Sequence, residues 1–149
     1  MNVSVLSYSF RGLLGSGEMD VFGYLETCRY RYGLGLADIW NGFIESTDED
    51  YLRKIRNAMD ERDLALADLC VDQAHIWEDD PSAREENHAN ACAHLAAADI
   101  LGARFVRLDA GSRDDAWTEE QFDHIVTRYK EYAAFAHDHG FKVGIENHW

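Results

Sequence analysis

Five short apolar runs punctuate this chain, at residues 3–8, 36–40, 64–71, 105–108 and 143–145. Their centres recur every ~30–40 residues, about the length of one strand–helix–strand unit. Each gap between runs carries a helical pattern. In the first gap Val21, Tyr24, Leu25, Cys28 and Tyr32 fall at helical spacing, and Gly33 marks the stop. In the second, Leu52, Ile55 and Met59 follow a Thr47-Asp48 cap signal. In the third, Asp80-Pro81 reads as an N-cap with proline in the first turn. Ala91, Leu95, Ala98 and Leu101 then form an apolar face that Gly102 ends. In the fourth, Thr118 and Gln121 spell a capping box, Phe122, Ile125, Val126, Tyr129, Ala133 and Ala136 line one side, and Gly140 closes the helix.

Strict alternation of strand and helix implies a parallel sheet with right-handed crossovers. Neither a linker nor a break in composition interrupts it, so residues 1–149 read as a single domain. Two α/β architectures satisfy the pattern: an open doubly wound sheet, or part of a (β/α)8 TIM barrel. A complete barrel takes around 250 residues. On that scale 149 residues supply about the first five strands and four helices.

Charge narrows the function. The net charge is −14, from 28 acids against 14 bases. Such a surface repels phosphate backbones and anionic headgroups, so neither nucleic acid nor a membrane surface is an expected partner. No stretch approaches the ~20 apolar residues of a membrane span. The first residues lack the basic-then-apolar order of a signal peptide. Cys28, Cys70 and Cys92 show no paired spacing and read as thiols used as small core residues in a reducing cytoplasm.

In parallel α/β proteins the ligand sits at the carboxyl ends of the strands. Polar residues gather there in every run: Ser7 and Ser9, then Asp38, Trp40 and Asn41, then Asp72 and His75, then Arg107 and Asp109, then Glu146 and His148. The period of two places Arg107 with Asp109, and Glu146 with His148, on one face. One acid at a strand end means little, but polar groups at all five ends point to a shared mouth.

The segments "LGLADIWNGF", "LADLCVDQAHIWEDDP", "AAADILGARFVRLDAG" and "GFKVGIENHW" carry a resemblance. The chain resembles the sugar phosphate isomerase/epimerase family, the xylose isomerase-like TIM barrels, whose superfamily includes endonuclease IV-type enzymes. The resemblance implies a divalent metal at the barrel mouth, Mn²⁺, Mg²⁺ or Co²⁺ with Zn²⁺ as an alternative. Glu146 matches the first metal ligand and would also serve as a proton-transferring carboxylate. His75 matches a histidine that reaches substrate or metal, and His148, Trp40, Asp38 and Arg107 take substrate-facing positions by analogy. The family's remaining ligands belong to later strands, so the resemblance implies the N-terminal portion of a longer isomerase or epimerase acting on a sugar or sugar phosphate. A metal-stabilised enediolate formed by proton removal beside a carbonyl is the implied chemistry.

Plainer readings stand beside these. Glu146 also suits a strand-end acid paired with Arg107, His75 a satisfied loop histidine, Asp38 a local cap, and Trp40 rim packing. His88 and Cys92 sit one turn apart but lack further ligands for zinc. The glycine-rich "GLLGSGEMD" fits no phosphate-binding pattern and reads as a mobile loop. At the level of function, a non-catalytic half-barrel that self-associates or pairs with another chain is the main alternative, through strand edges and apolar sheet faces left bare. An endonuclease IV-like phosphodiesterase, or a lyase or dehydratase on the same scaffold, ranks lower.

Overall fold

The computed structural model describes residues 3–111 and 116–146. Its centre is a four-stranded parallel sheet in sequential order, β1 (Leu36–Trp40), β2 (Ala65–Cys70), β3 (Phe105–Asp109) and β4 (Lys142–Glu146). A short helix α1 (Arg11–Gly15) and α2 (Val21–Glu26) precede the sheet, and α2 runs on through one wide turn at Thr27–Arg31. The crossovers are α3 (Glu49–Asp60), α4 (Pro81–Leu101) and α5 (Glu119–Asp138). This is a partial (β/α)8 barrel.

The helix boundaries follow local chemistry. Asp80 accepts from the Ser82 amide with Pro81 in the first turn, and Gly102 ends α4 at φ 67°. Thr118 and Gln121 form the reciprocal capping box of α5. Asp48 precedes α3 without a side-chain cap bond. The apolar stripes of α3 and α4 are buried as their spacing implies, Leu52, Ile55, Ala91, Leu95 and Leu101 among them. In α5 the stripe is narrower than expected. Ile125, Tyr132 and Ala136 are buried, whereas Phe122 is 53% exposed.

Three expectations are corrected. Residues 3–8 do not form a fifth strand. Leu6 makes one parallel bridge to Asp38, and Ser7–Phe10 turns into a 3₁₀ helix. The physical cause is Tyr24. Its buried hydroxyl takes the amide of Asp38 at 2.9 Å and lies 2.6 Å from the Val5 carbonyl. The β1–β2 register shifts between Ala37 and Asp38. The phenol thus occupies the place where strand-to-strand bonds would form. Second, the glycine-rich stretch is not an open loop, because α1 folds within it. Third, Cys92 is exposed, unlike Cys28 and Cys70.

The sheet has two unlike faces. Ala37, Ile39, Leu69, Val106 and Leu108 are fully buried on the side the helices cover. The opposite face is polar, not apolar. Register stacks it in three levels: Asp38, Asp68, Phe105 and Lys142; then Trp40, Cys70, Arg107 and Gly144; then Asp72, Asp109 and Glu146. Each level lies about 7 Å above the last, two residues of strand rise. Gly144 is required by its level, since a Cβ there would strike the Phe105 ring.

Candidate active site

The top level forms the mouth. Asp109 and Glu146 close β3 and β4 in direct register. Past β2 the chain continues against β3: the Val71 amide donates to the Arg107 carbonyl at 3.0 Å, and the Ile76 and Trp77 amides donate to Asp109 and Ala110 carbonyls. Gly111, at φ 75°, packs so closely on the Trp77 carbonyl that no side chain fits. This close join fixes His75 over the end of β3.

Arg107 is the electrostatic centre. It rises from the middle level and pairs with Glu146, and its other arm lies 3.7 Å from Asp72. Asp72 also accepts from the Trp40 indole at 2.6 Å, and Asn41 exchanges bonds with the Asp72 backbone in both directions. One guanidinium on β3 therefore holds two carboxylates at the rim, one from each side: Asp72 after β2 and Glu146 at the end of β4.

His75 is built into a second group. Its Nδ1 is 2.5 Å from the Glu78 carboxylate and its Nε2 is 3.7 Å from Asp109. Asn87, reaching from α4, accepts the His75 amide at 3.0 Å. A carboxylate only accepts, so Nδ1 carries the proton and Nε2 is the nitrogen facing the mouth.

The lowest level is acidic and crowded. Asp38 and Asp68 face each other across β1 and β2. Ser4 donates to Asp38 at 2.5 Å and the Cys70 thiol donates to Asp68 at 3.2 Å. The second oxygen of each carboxylate is buried with no hydrogen-bond partner among the described residues. Burial, reinforced by Asp38, pushes the Asp68 carboxyl above the usual range against the opposing Cys70 bond and Arg107 charge. Burial and the Asp68 charge push the Cys70 thiol upward as well.

The structure thus brings Glu146, Arg107, His75 and Trp40 to one end of the sheet. Asp38 is not with them: it lies two levels below the rim, because β1 continues past it to Trp40. His148 lies outside the described residues. Asp72, Glu78 and Asn87 complete the arrangement; the strand-end pattern pointed to Asp72, while Glu78, three residues beyond His75, and Asn87 on α4 were not singled out by it. The partners of Asp72, Trp40 and Arg107, and the reach of Asn87 to the His75 amide come from separate elements and have no local signature. Glu146 adopts its ion-paired form with Arg107. Among the described residues no group of three His, Cys, Asp or Glu side chains is placed to hold a metal ion.

Residues 31–149 match the model of the xylose isomerase-like TIM barrel family. The chain belongs to that family. No curated protein sequence matches it. Among solved structures it is similar to a Sinorhizobium meliloti 1021 protein, at 17% identity and TM-score 0.73 over 97% of this chain and 50% of that one. It is similar to D-psicose 3-epimerase, solved in the presence of D-fructose, at 15% identity and TM-score 0.72 over 97% and 52%. A probable 3-DHS dehydratase from Bacillus anthracis is 18% identical at TM-score 0.70 over 99% and 53%. At these identities the likeness is one of fold. The chain spans about half the length of each of these structures.

Proposed function

We propose that this chain is part of a sugar or sugar-phosphate isomerase or epimerase that moves a proton beside a carbonyl. The observation that supports this most is the rim constellation of Glu146, Arg107, Asp109 and His75 on a half-barrel of this family. Several carboxylates and an imidazole around one mouth supply acid and base positions for proton transfer. Nε2 of His75 takes or returns a proton there, and Glu78 positions the ring. Arg107 pairs with Glu146 and offers donors to a developing oxyanion. A divalent ion, Mn²⁺, Mg²⁺, Co²⁺ or Zn²⁺, belongs to this proposal only with ligands beyond the described residues, since those present do not form a metal cluster.

The test is deuterium incorporation into D-fructose in D2O, followed by proton NMR with Mn²⁺ present. The expected result is loss of a carbon-bound proton signal beside the carbonyl, abolished in Glu146→Gln and cut at least tenfold in His75→Asn. Absence of exchange with every divalent ion tried would overturn it.

A second reading, a non-catalytic half-barrel that pairs with itself or another chain, is favoured by the open sheet edges and the 36% exposed Ile145. Against it, Tyr24 occupies the β1 edge and the Tyr129 hydroxyl caps the Val143 carbonyl of β4 at 2.6 Å. Sedimentation equilibrium separates them: a monomer across micromolar concentrations removes self-pairing. A dehydratase remains open on this fold. DNA cleavage is disfavoured by the acidic rim. No helix among the described residues is long and apolar enough to cross a membrane.

A further inference from the structure

The lowest level of the inner face is the floor of the mouth, and open hydrogen-bonding positions gather there. Asp38 and Asp68 stand in register on β1 and β2, their backbones about 4.8 Å apart. Each spends one oxygen on a local donor, the Ser4 hydroxyl for Asp38 and the Cys70 thiol for Asp68. Oδ1 of each is buried with no hydrogen-bond partner among the described residues. One level up, Nε of Arg107 is buried and unpartnered in the same way. Its charge reaches Asp68. Two open acceptors and one open donor therefore share this part of the face.

Buried acceptors are seldom left open, and two ionised carboxylates side by side repel. One proton removes both faults. An O–H on Asp68 can donate to Oδ1 of Asp38, and the floor then keeps a single negative charge. Burial and the Asp38 charge raise the Asp68 carboxyl against the Cys70 bond and Arg107, which favours that proton. The other groups facing the pair do not compete for it. Burial pushes the Tyr24 hydroxyl and the Cys28 and Cys70 thiols upward, so all three stay neutral. Lys142, at the far end of the level, is exposed and stands beyond Phe105.

The charge of the floor bears on Arg107, which lies between it and the rim acids Asp72 and Glu146. With Asp68 neutral, two carboxylates above outweigh one below. With Asp68 ionised the floor carries two, and Oδ1 of Asp68 becomes an acceptor for the open Nε.

We propose that Asp68 is a positioning residue: its proton, donated to Asp38, keeps Arg107 on Glu146 and Asp72, and loss of that proton draws the guanidinium toward the floor. The consequence for proton transfer rests on the isomerase reading; the proton and the arginine shift do not.

The test therefore needs neither substrate nor metal. The ¹³C,¹⁵N-labelled chain is titrated from about pH 5, above the ordinary carboxylate range, to about pH 9. NMR follows the Asp carboxyl carbons and the Nε–Hε signal of Arg107. Asp68 should still be protonated at the start and should titrate within the window, and the Arg107 signal should move with the same midpoint. Asp68→Asn keeps a donor toward Asp38 without a charge. It should remove that step and hold Arg107 at its low-pH position, with the amide spectrum reporting that the fold is kept. Asp38→Asn takes away the like charge and should lower the Asp68 midpoint by about one unit. The proposal is overturned if Asp68 is already ionised at the start, if Arg107 does not follow it, or if the Arg107 step persists in Asp68→Asn. An Arg107 step that follows Asp68 in a chain showing no D-fructose exchange would sink the isomerase reading and leave this one standing.

Discussion

The two faces of the sheet are made by the same four strands, yet they obey different physics. On the helix side, Ile39, Leu69, Val106 and Leu108 are fully buried and make contacts that need no partner beyond shape. On the inner side, stability depends on which charge meets which. Arg107 serves Asp72 and Glu146 together, while Asp38 and Asp68 face each other one level below. The outer face is a completed core. The inner face is a set of polar groups held in position by it, as an active site must be.

The largest expected effect breaks the outer face. Leu108→Ala should cost about 3 kcal/mol in urea unfolding, from lost burial and a cavity. That loss should be the same at low and at about 1 M salt, since no charge is involved.

Arg107→Met tests the inner face. It leaves Asp72 and Glu146 without their counter-charge and should cost about 2 kcal/mol, less than a fully buried pair because the groups are partly exposed. Here the loss should shrink in salt. A salt-independent loss would mean that Arg107 acts by packing, and the contrast between faces would fail.

Tyr24→Phe removes the hydroxyl that stands between residues 3–8 and β1. About 1 kcal/mol should be lost. Hydrogen exchange at the Asp38 amide should speed up more than at Leu69 in the sheet centre.

The smallest effect has the opposite sign. The Asp68 pKa is raised in the folded chain. The native state then holds a proton that the unfolded chain releases above about pH 4. The stability this gives is full below that pH and is lost as pH rises through the folded value. Asp68→Asn should therefore raise Tm by a few °C near neutrality and change it little at about pH 3. A lower Tm at neutral pH would show that Asp68 is ionised and satisfied.

Much of this was legible in the chain. The helix ends at Asp80, Pro81, Gly102, Thr118, Gln121 and Gly140 are local chemistry, set by backbone groups a few residues away. The period-two placement of Arg107, Asp109 and Glu146 at strand ends follows from strand geometry alone. Residues 3–8 are apolar enough for a strand, and nothing local in them says otherwise. What prevents one is a hydroxyl from Tyr24, 14 residues before its partner Asp38. The depth of Asp38 below the rim depends on the register to β2 and has no local signature.

Sequence by itself determined the α/β alternation from residue 36 onward, the ends of α4 and α5, and the family, because each rests on periodicity and short-range bonding. Tertiary structure alone decided which strand positions share a level, that Arg107 joins Asp72 to Glu146, and that Glu78 and Asn87 fix His75. Those outcomes depend on register and on side chains meeting across separate elements, and interactions of that range leave no local pattern in a chain.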